Sequence, residues 1–204
     1  MNPVRRALLI VGGCAVLGVG VAMILLADLG SDGFSTLVNG FRLGTGLSFF
    51  LSNVIVSAGF LLLAASRRVL PGIGTLVQIT VVGGVASLVL EAFQAPDGLG
   101  TRLILLALSL PVIAVGITLY LGAKLGAGPI EAAGLAFDPP IPFRWSYNTV
   151  QALSALTGWL LGATIGVATV VVIIVLGPLV DLVARLLRMD IRQRDPRDRS
   201  EVSG

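Results

Sequence analysis

A few polar side chains set in an otherwise apolar chain are the ones able to do chemistry. Glu131 follows Gly128-Pro129 and so falls in the first turn of a short helix, where a carboxylate complements the helix dipole or serves as a titratable group. Asp181 is the one acid well inside a long apolar run, and Arg185 stands one helical turn later. That spacing suits an ion pair near an interface, or a carboxylate that couples to a proton or cation. Asn53, Gln78, Asn148 and Gln151 also fall inside apolar runs, where they can line a polar cavity or bond between helices for about 0.6 kcal/mol each. Gly33 and Ser35 occupy the places that Pro129 and Glu131 take 96 residues on. Together Gly33, Ser35, Asn53, Gln78, Pro129, Glu131, Asn148 and Gln151 form the expected substrate site, with Glu131 and Asp181 as the groups for ion coupling. Bare N–H groups at the starts of two short helices would favour an anionic group there.

The missing residues narrow the chemistry further. There is no histidine, which removes the commonest general base and metal ligand, and Cys14 is the only cysteine. Its apolar neighbours suit a packed thiol better than a nucleophile. No Ser/His/Asp set, metal-ligand spacing, phosphate loop or paired carboxylate is present, so we expect no enzyme, no metal and no cofactor. The net charge of +3 does not point to nucleic acid, because most of the excess lies beside apolar runs and in the tail.

The elements that must position these residues are membrane helices. Hydrophobic residues make up 55% and charged residues 12% of 204, with a mean hydropathy of +0.97. A hydrocarbon core of about 30 Å takes about 20 helical residues. Six spans can be drawn: 7–27, 47–66, 72–93, 103–122, 145–164 and 167–187. The runs lack the alternation of barrel strands, so the expected fold is all-α, a single integral membrane domain over 1–188. The first span resembles a signal peptide, but its apolar run continues through Ala27, which predicts an uncleaved span. With an even number of spans, Arg5, Arg6, Arg67, Arg68, Lys124, Arg144 and six arginines from Arg185 to Arg199 fall on one side, against Arg42 and Arg102 on the other. The positive-inside rule then puts both termini in the cytoplasm of a bacterial cell, with 189–204 as a charged, disordered tail.

The same membrane segment occurs twice, over about 7–93 and 103–187. Ala27-Asp28-Leu29-Gly30 lies over Ala123-Lys124-Leu125-Gly126, and Val19-Gly20 over Val115-Gly116. After a two-residue contraction, Thr75 lies over Thr169 and Gly83 over Gly177. Three spans per copy is odd, so the second copy is inverted in the bilayer. After the first span of each copy, 33–43 and 129–137 are too short to cross but have helical periodicity. In 33–43 the apolar face is Phe34, Leu37, Val38 and Phe41, with Ser35, Thr36, Asn39 and Arg42 opposite. These are half-helices, either re-entrant or flat in the headgroups. Ser154, Gly158, Gly162 and Gly166 recur every four residues as a close-packing stripe on the fifth span. Arg144, Trp145 and Tyr147 have the composition of an interfacial anchor at its start.

In these motifs the chain resembles the YczE/YyaS/YitT family of bacterial membrane proteins, the YczE type above all. The likeness rests on Leu29-Gly30, Thr45-Gly46-Leu47-Ser48 and Pro71-Gly72-Ile73-Gly74-Thr75 in the first half. In the second it rests on Gly126-Ala127-Gly128-Pro129 and Gly166-Val167-Ala168-Thr169. The family pairs a proline with a nearby acid in each half; Pro129 and Glu131 keep that pattern, whereas Gly33 and Ser35 depart from it. The resemblance implies transport or export of small molecules. The expected function is therefore a small-molecule transporter with a site between inverted repeats. The alternative is a non-transporting membrane scaffold or assembly factor. The expected partners are the lipid bilayer and a small-molecule substrate, and the sequence sets no oligomeric state.

Overall fold

Long apolar runs punctuated by glycine, proline and short polar caps give helices joined by tight turns. The computed structural model describes residues 3–137, 140–141 and 143–189, with the backbone alone at 143, 144 and 173. It contains α1 (Pro3–Ala27), α2 (Gly33–Thr45), α3 (Phe49–Ser66), α4 (Ile73–Ala92), α5 (Leu99–Gly122), α6 (Pro129–Leu135), α7 (Phe143–Leu160) and α8 (Val167–Leu186). No strand occurs among the described residues. Of the helices searched along the described residues, α1, α3, α4 and α5 are long and apolar enough to cross a membrane. The expected fifth and sixth spans overlap α7 and α8, of 18 and 20 residues, which are not among these four. Beyond Met189 the expected tail lies outside the described residues.

Local chemistry sets the ends. Asp32 caps α2 by accepting from Ser35 N–H at 3.1 Å, and Ser48 caps α3 by accepting from Leu51 N–H at 3.3 Å. The expected glycine stripe on α7 is broken, because Gly162 ends the helix instead of continuing it. Gly162 takes φ 100°, a left-handed value that favours glycine. Its N–H donates to Trp159 O, and Ala163 N–H donates to Gly158 O, both at 2.9 Å, which closes a Schellman motif. Ser154 and Gly158 keep the packing role on α7, where Gly158 meets the α2 backbone at Thr36 and Leu37.

The helices start in a repeated register: Leu99 follows Pro3 by 96 residues and Pro129 follows Gly33 by the same interval, while Phe143 follows Phe49, and Val167 follows Ile73, by 94. Their packing repeats as well. α1 packs on α5; α1 packs on α4 as α5 does on α8; α2 packs on α7 as α6 does on α3. The α1/α5 contact is reciprocal, since a side chain on Gly20 would strike Ile113 and one on Gly116 would strike Leu17, which is 96 residues before Ile113. Gly13 meets Tyr120 on the same seam, so position rises along α1 as it falls along α5. The two helices are antiparallel, and small residues let their backbones approach closely.

Two backbone bonds seal the halves in the same exchanged way. Gly74 N–H donates to Leu125 O at 2.9 Å, and Ala168 N–H donates to Leu29 O at 3.0 Å. Asp28 and Lys124 turn the chain there with left-handed φ of 51° and 53°, followed by Gly30 and Gly126 at 103° and 135°. The halves differ at one seam. α3 is tied to α4 by Asn53, whose Nδ2 donates to Ile79 O at 2.8 Å beside Gly83. The matching Gly177 on α8 has nothing near it, so the second half is more open there.

Candidate functional site

The starts of α2 and α6 lie close enough for the Asp32 and Glu131 carboxyls to act on one another electrostatically. α2 reaches this place mainly through its small residues. Gly33, Ser35, Thr36, Val38 and Gly40 are buried, whereas Phe34, Leu37, Asn39, Phe41 and Arg42 are half-buried. The buried set is thus the small residues of α2 together with Val38, and the larger side chains of both faces stay half-buried. Among lipid-facing helices the larger apolar side chains gain nothing by turning inward, and small residues allow close approach.

Gln151 of α7 organises the α2 side. Its Oε1 accepts from Phe34 N–H at 3.1 Å, and its Nε2 donates to Tyr147 Oη at 2.8 Å. A side chain on Gly33 would run into the Gln151 backbone carbonyl. With Asp32 capping Ser35 N–H, two of the first N–H groups of α2 are already taken by side-chain acceptors, which weakens the expected preference for an anion there.

The α6 side has the opposite imbalance. Glu131 is half-buried as a residue, but its Oε2 is shielded from solvent and has no hydrogen-bond partner. The Oε1 of Gln78, on α4, is in the same condition. Both oxygens crowd the place where a Cβ on Gly128 would stand, so they are near neighbours. Burial pushes the Glu131 carboxyl up to about 6; its own backbone N–H works against this shift, and Asp32 adds to it. Tyr120 and Tyr147 are within electrostatic reach of the same carboxyl, and Tyr120 Oη donates to Gly126 O at 3.4 Å.

The expected site residues therefore divide. Gly33, Gln151, Gln78, Pro129 and Glu131 surround the two helix starts, with Ser35 buried in the first turn of α2. Asn53 is spent on the α3/α4 contact, and Asn148 is exposed on α7. Asp181 is exposed on α8, as is Arg185, and the expected ion pair between them does not form. Among the described residues the ion pair within 4 Å is instead Asp28–Arg102 at 3.2 Å, with Thr164 Oγ1 also bonded to Asp28 at 2.5 Å. Sequence reasoning passed over Asp32 and took Tyr147 only as part of an interfacial anchor. Asp32 stands one residue before Gly33, which was the available signal.

Helices of this length and apolarity, packed through glycines, define an integral membrane protein. The chain belongs to DUF6198, a family of unknown function whose model matches residues 4–185. It is also similar to an uncharacterized protein of Haemophilus influenzae, 29% identical over 180 residues that cover 84% of this chain and 82% of that one. Neither match carries the YczE/YyaS/YitT name. No solved structure matches the chain.

Proposed function

We propose that this chain is a small-molecule transporter of the bacterial plasma membrane, of the YczE kind. In this reading α1, α3, α4, α5, α7 and α8 are six spans in two inverted repeats, with both termini in the cytoplasm. The antiparallel α1/α5 seam and the exchanged Gly74–Leu125 and Ala168–Leu29 bonds support it. α2 and α6 are re-entrant half-helices, which suits the close packing of α2 through Gly33, Ser35, Thr36 and Gly40.

The observation that carries the reading is the unpartnered pair Glu131 Oε2 and Gln78 Oε1. A buried acceptor left unpaired costs about 1–3 kcal/mol, so the pair calls for a donor. Protonated, Glu131 donates to Gln78 and satisfies both oxygens. Deprotonated, it is an acceptor for which the turned-over Gln78 amide competes with a cationic or hydroxyl-bearing group of a small molecule. Exchange of a proton for such a group at one carboxyl is the elementary step of coupled transport, with Glu131, not the exposed Asp181, as the coupling group.

Proteoliposomes loaded with a pH-sensitive dye test this. Candidate metabolites that stabilise the purified protein against heat should collapse an imposed proton gradient in vesicles with the parent chain and not with Glu131→Gln. Stabilising metabolites that move no protons in the parent would sink the coupled reading. No ligand and no flux at all would favour the scaffold.

A further inference from the structure

The two ends of the α1/α5 seam are built alike but carry different charges. Arg102 and Arg6 correspond in the repeat, as do Asp28 and Lys124, which make the same left-handed turn. At one end Arg102 meets the Asp28 carboxylate, Thr164 bonds to it as well, and the cleft there is about 10 Å³. At the other end the acid's place is taken by Lys124. Arg6 there bonds to backbone, its Nε to Ala123 O and its Nη2 to Lys124 O, each at 3.1 Å. A basin of about 480 Å³ opens beside it, walled by Arg5, Arg6, Lys124 and Arg188 with Leu9 and Met189, and no acid is among the described residues lining it.

We propose that this basin is a binding site for an anionic phospholipid, with the phosphodiester headgroup held by Arg5, Arg6 and Arg188 and the acyl chains lying along α1. The volume falls within the ~300–1,000 Å³ of small-molecule pockets. Three arginines around one cavity favour a phosphate, which arginine can grip with two parallel N–H groups. The apolar wall favours a lipid over a free anion. Leu8, 69% exposed, lies one helical turn from Arg5 on the same side of α1, and Val4 is exposed beside it. A headgroup in the basin therefore leaves its chains against apolar side chains that already face the bilayer. The positive-inside rule alone would scatter cations over that side; it does not gather them around a cavity.

The test uses the full chain in nanodiscs of phosphatidylcholine, with or without phosphatidylglycerol, read by thermal-unfolding midpoint and by lipid adducts in native mass spectrometry. Phosphatidylglycerol should raise the midpoint and remain bound on release. The variant Arg5→Gln/Arg188→Gln should hold it roughly 30-fold less tightly, as expected for two interfacial charges. Arg42→Gln, on another helix, should leave binding unchanged. If the double variant does not fold, Arg5→Gln alone should show a smaller loss of the same kind. Equal midpoints and adducts in the two lipids, or undiminished binding by the variants, would overturn the proposal. So would inorganic phosphate reproducing the whole effect in phosphatidylcholine, which would make the ligand a soluble anion. Transport plays no part in this readout, so its outcome is independent of the transport reading.

Discussion

Glu131 and Gln78 turn two buried acceptor oxygens toward the same space beside Gly128, and neither has a donor. One proton settles the conflict, because a protonated carboxyl can donate to the amide oxygen. The shift of Glu131 to about 6 has the matching sign: the folded chain holds that proton more tightly than the unfolded one.

Thermal stability should accordingly depend on pH. An acid whose folded pKa is raised stabilises the fold fully below its unfolded value, near 4.3, and loses that contribution as pH rises through about 6. The unfolding midpoint should fall over that interval in the parent and stay flatter in Glu131→Gln. A parallel decline in both would place the titration elsewhere.

Glu131→Gln should also separate function from folding, with near-normal folded yield and lost gradient-driven flux. Asp181→Asn serves as its partner measurement. Asp181 is exposed and outside any ion pair, so this change should move stability by no more than ~0.5 kcal/mol and leave flux intact. Lost flux in a stable Asp181→Asn protein would reverse the assignment.

Two glycine substitutions should behave differently. An added methyl at Gly33 meets the Gln151 backbone carbonyl, which cannot swing away, so Gly33→Ala should cost about 1–3 kcal/mol. At Gly128 the obstacles are the far ends of Gln78 and Glu131, which can rotate aside. Gly128→Ala should therefore fold well but lose flux. Denaturation and flux measured on both variants decide it, and equal destabilisation would contradict the placement of the two side chains.

Asp28→Asn should lower stability by at most about 1 kcal/mol, because the Arg102 and Asp28 side chains remain 27% and 45% exposed. The loss should shrink as salt is raised, since screening weakens the pair in the parent too. A salt-independent loss would mean that the Thr164 bond, not the ion pair, holds that end closed.

In a Cys14→Ser background, single cysteines at Arg68 and Asp97 should label from opposite sides of the membrane, with Arg68 reacting from the cytoplasm. Labelling of both from one side would defeat the inverted arrangement.

Much of the helix layout was legible in the chain itself. Lipid demands that backbone groups be paired within a segment, so apolar runs ended by Gly, Pro and capping residues mark helices without knowledge of their neighbours. Hence Ala27, Ser66 and Gly122 end helices where the runs end, and the register shared by Leu29-Gly30 and Leu125-Gly126 carries through to the folded turns. Partnership was a different matter. Whether Gly162 continues a helix or closes it depends on a left-handed turn, and periodicity alone cannot report that. Asp181 and Arg185 have ion-pair spacing, but the folded chain does not bring their charges together. Asn53, Asn148, Gln78 and Gln151 look alike as polar residues in apolar runs. Asn53 ties two helices, Asn148 faces outward, Gln151 accepts from the first turn of α2, and the Gln78 Oε1 stands unpartnered beside Glu131. Helices form from short-range bonds, which sequence records; which polar atom finds a donor is set by segments brought together from far along the chain, and that only the packed structure decides.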